Sequence, residues 1–115
     1  MFSAGDVVVA DFPGATGVKR RPAVVLSSDA YHGVRPDLII GLITSQTATA
    51  VGPTDYALLD WSAAGLRLPS AFRAFLATVP RSAITGRIGR LSGRGWDVVR
   101  ACIKTALTAL DNTAP

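Results

Sequence analysis

The sequence predicts an α+β domain, mainly β, in which a small, strongly curved antiparallel sheet is covered by one helix. Short, β-branched apolar runs separated by turn-forming residues fill the first three quarters of the chain. The one long stretch with apolar residues at three- and four-residue spacing lies at the C-terminus. With 115 residues, 49% of them hydrophobic, the chain has enough apolar material for one core and is expected to form one domain over 1–115.

Asp6-Val7-Val8-Val9-Ala10-Asp11-Phe12 is nearly continuous and β-branched, so residues 6–12 read as a buried strand. Pro13-Gly14-Ala15-Thr16-Gly17 is a turn or short loop. A second strand follows over 21–28, its entry set by Pro22, and a connection over 29–36 carries Tyr31, His32, Gly33 and Arg35. Residues 38–44 form a third strand, apolar on both faces, and 46–54 is small and polar enough for a mobile loop. Short strands are expected over 56–59 and 88–91, a longer one over 70–79, a turn over 63–69 and one helical turn over 82–84. The helix runs over 96–110, with Val99, Cys102, Ile103, Ala106, Leu107 and Leu110 on one stripe and Ser92 as its N-cap.

No apolar stretch reaches the roughly 18 residues of a membrane-spanning helix, and the N-terminus lacks the basic and apolar regions of a signal peptide. The single Cys102 permits no internal disulfide and falls on the apolar stripe, so an inert thiol in a reducing cytoplasm is expected. Net charge is +4 and the pI is near 10.0, which favours an anionic partner such as nucleic acid or an acidic protein, although so modest an excess more often marks a plain solvated surface. All eight acids are aspartates. Arg81, Arg87, Arg90, Arg94, Arg100 and Lys104 crowd the last third beside Asp97 and Asp111. They read as a phosphate-tracking face or, more commonly for such a cluster, as the solvent side of the terminal elements.

The run Gly17-Val18-Lys19-Arg20-Arg21-Pro22 places three consecutive cations at the mouth of a strand. Pro22 biases Arg21 to an extended backbone, and a rigidly presented guanidinium fork matches phosphate oxygens. The next apolar run ends in Thr44-Ser45-Gln46, three small hydrogen-bonding side chains. If the two strands are neighbours, cations and hydroxyls share one groove. A lone His32 beside Tyr31 and Arg35 is a minor candidate for RNA contact. One histidine and one cysteine assemble no metal-ligand set, and no cofactor is expected.

Gly5-Asp6-Val7-Val8-Val9-Ala10-Asp11-Phe12, Arg20-Arg21-Pro22-Ala23-Val24-Val25-Leu26-Ser27 and Ile43-Thr44-Ser45-Gln46 together resemble the MazF/PemK toxins of type II toxin–antitoxin systems. The resemblance continues through Thr78-Val79-Pro80-Arg81-Ser82-Ala83-Ile84 and Arg87-Ile88-Gly89-Arg90-Leu91-Ser92 into the terminal helix. It implies an SH3-like (CcdB/PemK-type) barrel with a C-terminal helix and a homodimer in the cytoplasm. The implied activity is metal-independent, sequence-selective cleavage of single-stranded RNA by ribose 2′-hydroxyl attack, growth-inhibiting and neutralised by a cognate antitoxin. Arg21 and Thr44 match the family's catalytic arginine and threonine. Ser45 and Gln46 are weaker candidates for phosphate or base contact, Lys19 and Arg20 would steer RNA, and Arg73 is either a second phosphate cation or a solvated strand residue. Arg21 has a competing reading as a surface ion pair with Asp11 or Asp29, and Thr44 as a strand-end cap. The loop before Arg21 has no carboxylate, so the general base is unidentified. Two readings outside catalysis remain: a toxin of the same fold that binds DNA gyrase, and a general RNA-binding barrel.

Overall fold

The computed structural model describes residues 1–107. Its strands are β1 (Asp6–Gly14), β2 (Gly17–Val25), β3 (Asp37–Thr44), β4 (Asp55–Ala57), β5 (Ala71–Pro80) and β6 (Ile84–Arg90). The one-turn helix α1 (Asp29–His32) follows β2, and α2 (Gly93–Ala106) closes the described chain. Short 3-10 turns occupy Thr47–Thr49 and Arg81–Ala83. The six strands form one antiparallel sheet in the order β4-β5-β3-β2-β1-β6. The sheet curves strongly without closing into a barrel, because β4 and β6 remain its two edges.

Curvature has an identifiable source. The β1–β6 register slips between Val7 and Val8 and again between Val9 and Ala10, and the β3–β5 register slips between Gly41 and Leu42. Each bulge puts unpaired residues on the longer strand and increases local twist. The bulge on β5 falls at Ala74 and Phe75, so the simple alternation expected from 70–79 breaks: Phe72 is buried while Leu76 is 39% exposed.

The continuous apolar run of β1 is explained by two cores, one on each face of the sheet. Val7 joins Val24, Ile43, Phe72, Leu91, Val99 and Cys102 beneath α2, and Val8 and Ala10 join Ala23, Val25, Leu38, Ile40 and Val79 on the other face. Burial of the Cys102 thiol, together with the field of Asp55, pushes its pKa up. That suits the inert role its place on the apolar stripe suggests.

Several boundaries differ from the expected ones. β1 and β2 meet through a two-residue turn at Ala15 and Thr16, closed by Gly17 at a φ of +117°. A left-handed conformation of this kind favours glycine. β2 therefore begins at Gly17 rather than at 21, and Lys19 and Arg20 lie on the same strand as Arg21 instead of in the connection before it. β2 ends at Val25 because Leu26 and Ser27 both donate to the Ile39 carbonyl, which ends regular pairing. β6 is longer than expected, since it pairs along β1 from Ala10 to Asp6. α2 starts earlier, at Gly93, because Ser92 Oγ accepts the Gly95 N–H at 3.1 Å. Its expected end at Leu110 lies outside the described residues. Among those described, no helix is long and apolar enough to cross a membrane.

Candidate active site

Pro22 shapes the site. β2 pairs with β3 only over Ala23–Leu42, Val24–Gly41 and Val25–Ile40. The ladder stops where Pro22 has no N–H to offer. Two more register steps would set Arg21 opposite Thr44; instead the strands part there, and both residues line the opening. The cleft has a volume of about 410 Å³. Val9, Pro22, Ile43 and Ile88 contribute its apolar surface, and Arg21, Thr44, Ser45 and Arg67 its polar groups.

Arg21 projects from an exposed stretch of β2, opposite Ala10 of β1. Among the described residues no carboxylate pairs with it. The Asp11 carboxylate lies 3.7 Å from Arg20, its cross-strand partner, not from Arg21. Thr44 ends β3, and its Oγ1 accepts the Gln46 N–H at 3.1 Å. That is the strand-end cap, and it uses only an acceptor lone pair. The hydroxyl proton stays available to donate to an anion in the cleft.

A smaller hollow of about 230 Å³ adjoins this cleft and shares Arg21 with it. Phe12, Lys19, Leu42 and Phe75 line it. Phe75 is 54% exposed because it lies on the β5 bulge. The pair of depressions thus runs from an aromatic ring and Lys19, past Arg21, to Thr44 and Ser45.

Other residues singled out by sequence lie elsewhere. Arg73 does not line the cleft: its Nε donates to Asp55 Oδ1 at 3.2 Å across the β4–β5 pair, and its guanidinium stacks 4.8 Å from the Phe75 ring centroid. His32 Nε2 sits 2.6 Å from Ser27 Oγ, which also accepts the Ile39 N–H. Ile39 and Thr44 are five residues apart along β3, roughly 17 Å at strand rise, so His32 marks the opposite end of that strand. The Gln46 side chain does not line the cleft.

Three of the six cations in the basic last third, Arg87, Arg90 and Arg94, pair with acids distant in sequence. Arg90 Nη1 donates to Asp6 Oδ1 at 2.8 Å, with Arg87 at 3.8 Å from the same atom. Arg94 forms a two-point pair with Asp60, which also accepts from Ser92 Oγ at 2.6 Å. The hydrogen bonds from Arg94 and then Ser92 hold the Asp60 carboxyl well below the usual carboxylate range. These three arginines pin β6 and α2 to the rest of the fold.

Sequence reasoning missed Arg67, on the 58–70 connection. No local pattern distinguishes it, because only the fold of that connection brings it to the cleft. Among the described residues no cluster of three or more His, Cys, Asp or Glu side chains is placed to hold a metal ion. The cleft lining contains no Asp, His, Cys, Lys or Tyr.

Comparison with known proteins places this geometry in a family. No curated protein sequence matches the chain. Among solved structures, an endoribonuclease in complex with its cognate antitoxin from a mycobacterial species superimposes with a TM-score of 0.76 at 18% identity, over 100% of both chains. The Mycobacterium tuberculosis toxin MazF-mt6 matches with a TM-score of 0.72 at 19% identity, covering 90% of this chain and 96% of that one. MazF of Deinococcus radiodurans gives 0.73 at 23% identity, covering 93% and 96%. At these identities the likeness is one of fold. The model of PemK-like, MazF-like toxins of type II toxin–antitoxin systems matches residues 3–107, and the chain belongs to that family.

Proposed function

We propose that the protein is a metal-independent endoribonuclease toxin that cuts single-stranded RNA, mRNA in the cell, at selected sequences. The observation that carries this reading is the meeting of Arg21, with no acidic partner among the described residues, and the Thr44 hydroxyl in one cleft. In the reaction the ribose 2′-oxygen attacks phosphorus and loses its proton, the P–O5′ bond breaks, and O5′ gains a proton. The products are a 2′,3′-cyclic phosphate and a 5′-hydroxyl end. The nucleophile belongs to the substrate, so DNA is not cut. Arg21 binds the scissile phosphate bidentately and stabilises the charge that accumulates on its oxygens. Thr44 donates to a non-bridging oxygen, and Ser45 contacts the same group. The adjoining hollow takes a flanking nucleotide, with its base on Phe75 and its phosphate near Lys19. Arg20, paired with Asp11, contributes only to long-range attraction of RNA.

The protein acts in the cytoplasm as a homodimer, and a cognate antitoxin silences it by laying an acidic segment over the basic cleft. The mycobacterial neighbour, found with its cognate antitoxin, supports a partner of this kind. Scattering in solution tests the dimer.

The decisive experiment incubates purified protein with single-stranded RNA and EDTA and maps the fragment ends. Cleavage with cyclic-phosphate ends by wild type, abolished by Arg21→Ala, Thr44→Ala, is expected. Intact RNA with wild type, or undiminished cutting by the double variant, overturns the reading. The absence of a carboxylate or histidine from the cleft lining favours the non-catalytic toxin as the alternative, which would inhibit DNA gyrase supercoiling and leave RNA intact.

A further inference from the structure

All ten arginines lie within the described residues. Seven of them, Arg20, Arg35, Arg73, Arg87, Arg90, Arg94 and Arg100, lie within 4.0 Å of an aspartate. Arg21, Arg67 and Arg81 have no such partner among the described residues, and two of these three line the same cleft. An exposed cation normally gains from a nearby carboxylate. Two guanidiniums left without one beside the same apolar cleft define a site with unspent positive charge.

The scaffold under Arg67 is rigid. Gly65 adopts a φ of +89°, and a Cβ there would lie 2.0 Å from the Ile88 carbonyl oxygen; a Cβ at Gly89 would lie 2.1 Å from the Ala64 carbonyl oxygen. The two backbones are therefore in direct contact, as only glycines at both positions allow. Leu66 N–H donates to Trp61 O, Ser70 Oγ donates to Leu68 O at 2.8 Å, and the Leu66 and Ser70 side chains are buried. Arg67 is thus held by a connection clamped to β6. Arg21 stands on β2, with β1 between them in the sheet order. Two strand spacings amount to about 10 Å, which two long side chains projecting over one cleft can span.

We propose that Arg67 is the second phosphate-binding cation of this cleft, closing on the scissile phosphate from the β6 side while Arg21 holds it from the β2 side. It rests on the reading of the cleft as an RNA-cleaving site. A cation whose loop is already fixed needs little rearrangement when charge builds on phosphorus, so its effect belongs to the chemical step. Arg73, tied to Asp55, does not take this role.

Cleavage kinetics in EDTA and thermal melting are compared for wild type, Arg67→Ala, Arg67→Lys and the control Arg81→Ala. Alongside, binding of a single-stranded 2′-fluoro RNA, which cannot be cut, is followed as salt is raised. Arg67→Ala should lower kcat by about 10- to 100-fold with an unchanged melting temperature, since one preorganised donor contributes up to about 10²–10³. Arg67→Lys should recover part of the loss, and Arg81→Ala should cut as wild type does. Loss of one phosphate contact should reduce the slope of log affinity against log salt by about 0.7. Wild-type kcat in Arg67→Ala, or an unchanged salt slope, overturns the proposal, as does a kcat loss that Arg67→Lys fails to relieve. If wild type cuts nothing, the endoribonuclease reading falls; a reduced salt slope would then still support Arg67 as a phosphate cation, and an unchanged one would overturn it.

Discussion

Arg90 and Arg21 stand on the two strands that flank β1, and their surroundings are opposite. Arg90 lies across from Asp6, a carboxylate 1% exposed that also accepts the Ser3 N–H at 2.9 Å. Its guanidinium supplies the charge that makes burial of that carboxylate tolerable. Arg21 lies across from Ala10, where β1 offers no charge, and Pro22 has ended the ladder to β3. One arginine is part of the fold and the other faces an open cleft. A carboxylate opposite an arginine turns it into structure; its absence leaves the same side chain available for an anionic ligand.

The largest effect expected from this contrast is on rate. Arg21→Ala should reduce RNA cleavage by about 10²–10³ while leaving stability within about 0.5 kcal/mol, read by single-turnover cleavage and chemical denaturation of the same samples. A comparable fall in stability would make Arg21 a second Arg90. Next is a dependence on pH. Since the cleft lining contains no Asp, His, Cys, Lys or Tyr, the proposed reaction is expected to lose its 2′-hydroxyl proton to hydroxide. The cleavage rate should therefore climb about tenfold per unit between about pH 6 and 8 with no bell-shaped maximum. A bell in the rate profile would reveal an acid or base from outside this cleft.

On the paired side the effects are on stability. Arg90→Ala leaves Asp6 the Ser3 N–H and, among the described residues, Arg87 as its one cation, at 3.8 Å, and should lower unfolding free energy by about 2 kcal/mol with no change in cleavage per folded molecule. Asp60 gives a smaller, pH-dependent effect. Its folded pKa is depressed by Arg94 and Ser92, so its contribution is present above the unfolded value, near about 3.9, and is lost as acid titrates it in the folded state. Asp60→Asn should lower the melting temperature at pH 7 and flatten its decline below about pH 4. The smallest change is expected for Arg20→Ala. That exposed pair with Asp11, at 3.7 Å, should shift stability by about 0.5 kcal/mol or less and slow cleavage only at low salt.

Much of the framework was legible locally. The β-branched run from Val7 to Val9 and the apolar run from Leu38 to Ile43 announce strands, and the spacing of Val99, Cys102 and Ile103 announces the final helix. Pairing Arg21 with Thr44 was also within reach, since antiparallel neighbours of these lengths bring the two ends together. The start of β2 lies earlier than the composition suggests because Gly17, at a φ of +117°, permits a tighter turn.

Side-chain periodicity and turn chemistry act over a few residues, so the kinds of element, the two-faced burial of β1 and the cationic entry to β2 follow from the amino-acid order alone. Which cations remain unpaired does not. Arg90 finds Asp6 and Arg94 finds Asp60 across 84 and 34 positions of chain, and the partner depends on bulged registers and loop packing that no local pattern encodes. The same long-range geometry ties Arg73 to Asp55 and brings Arg67, unremarkable in sequence, to the cleft beside Arg21. Ion pairing is settled by distance in space, and that distance exists only once the sheet has curved and the 58–70 connection has locked against β6.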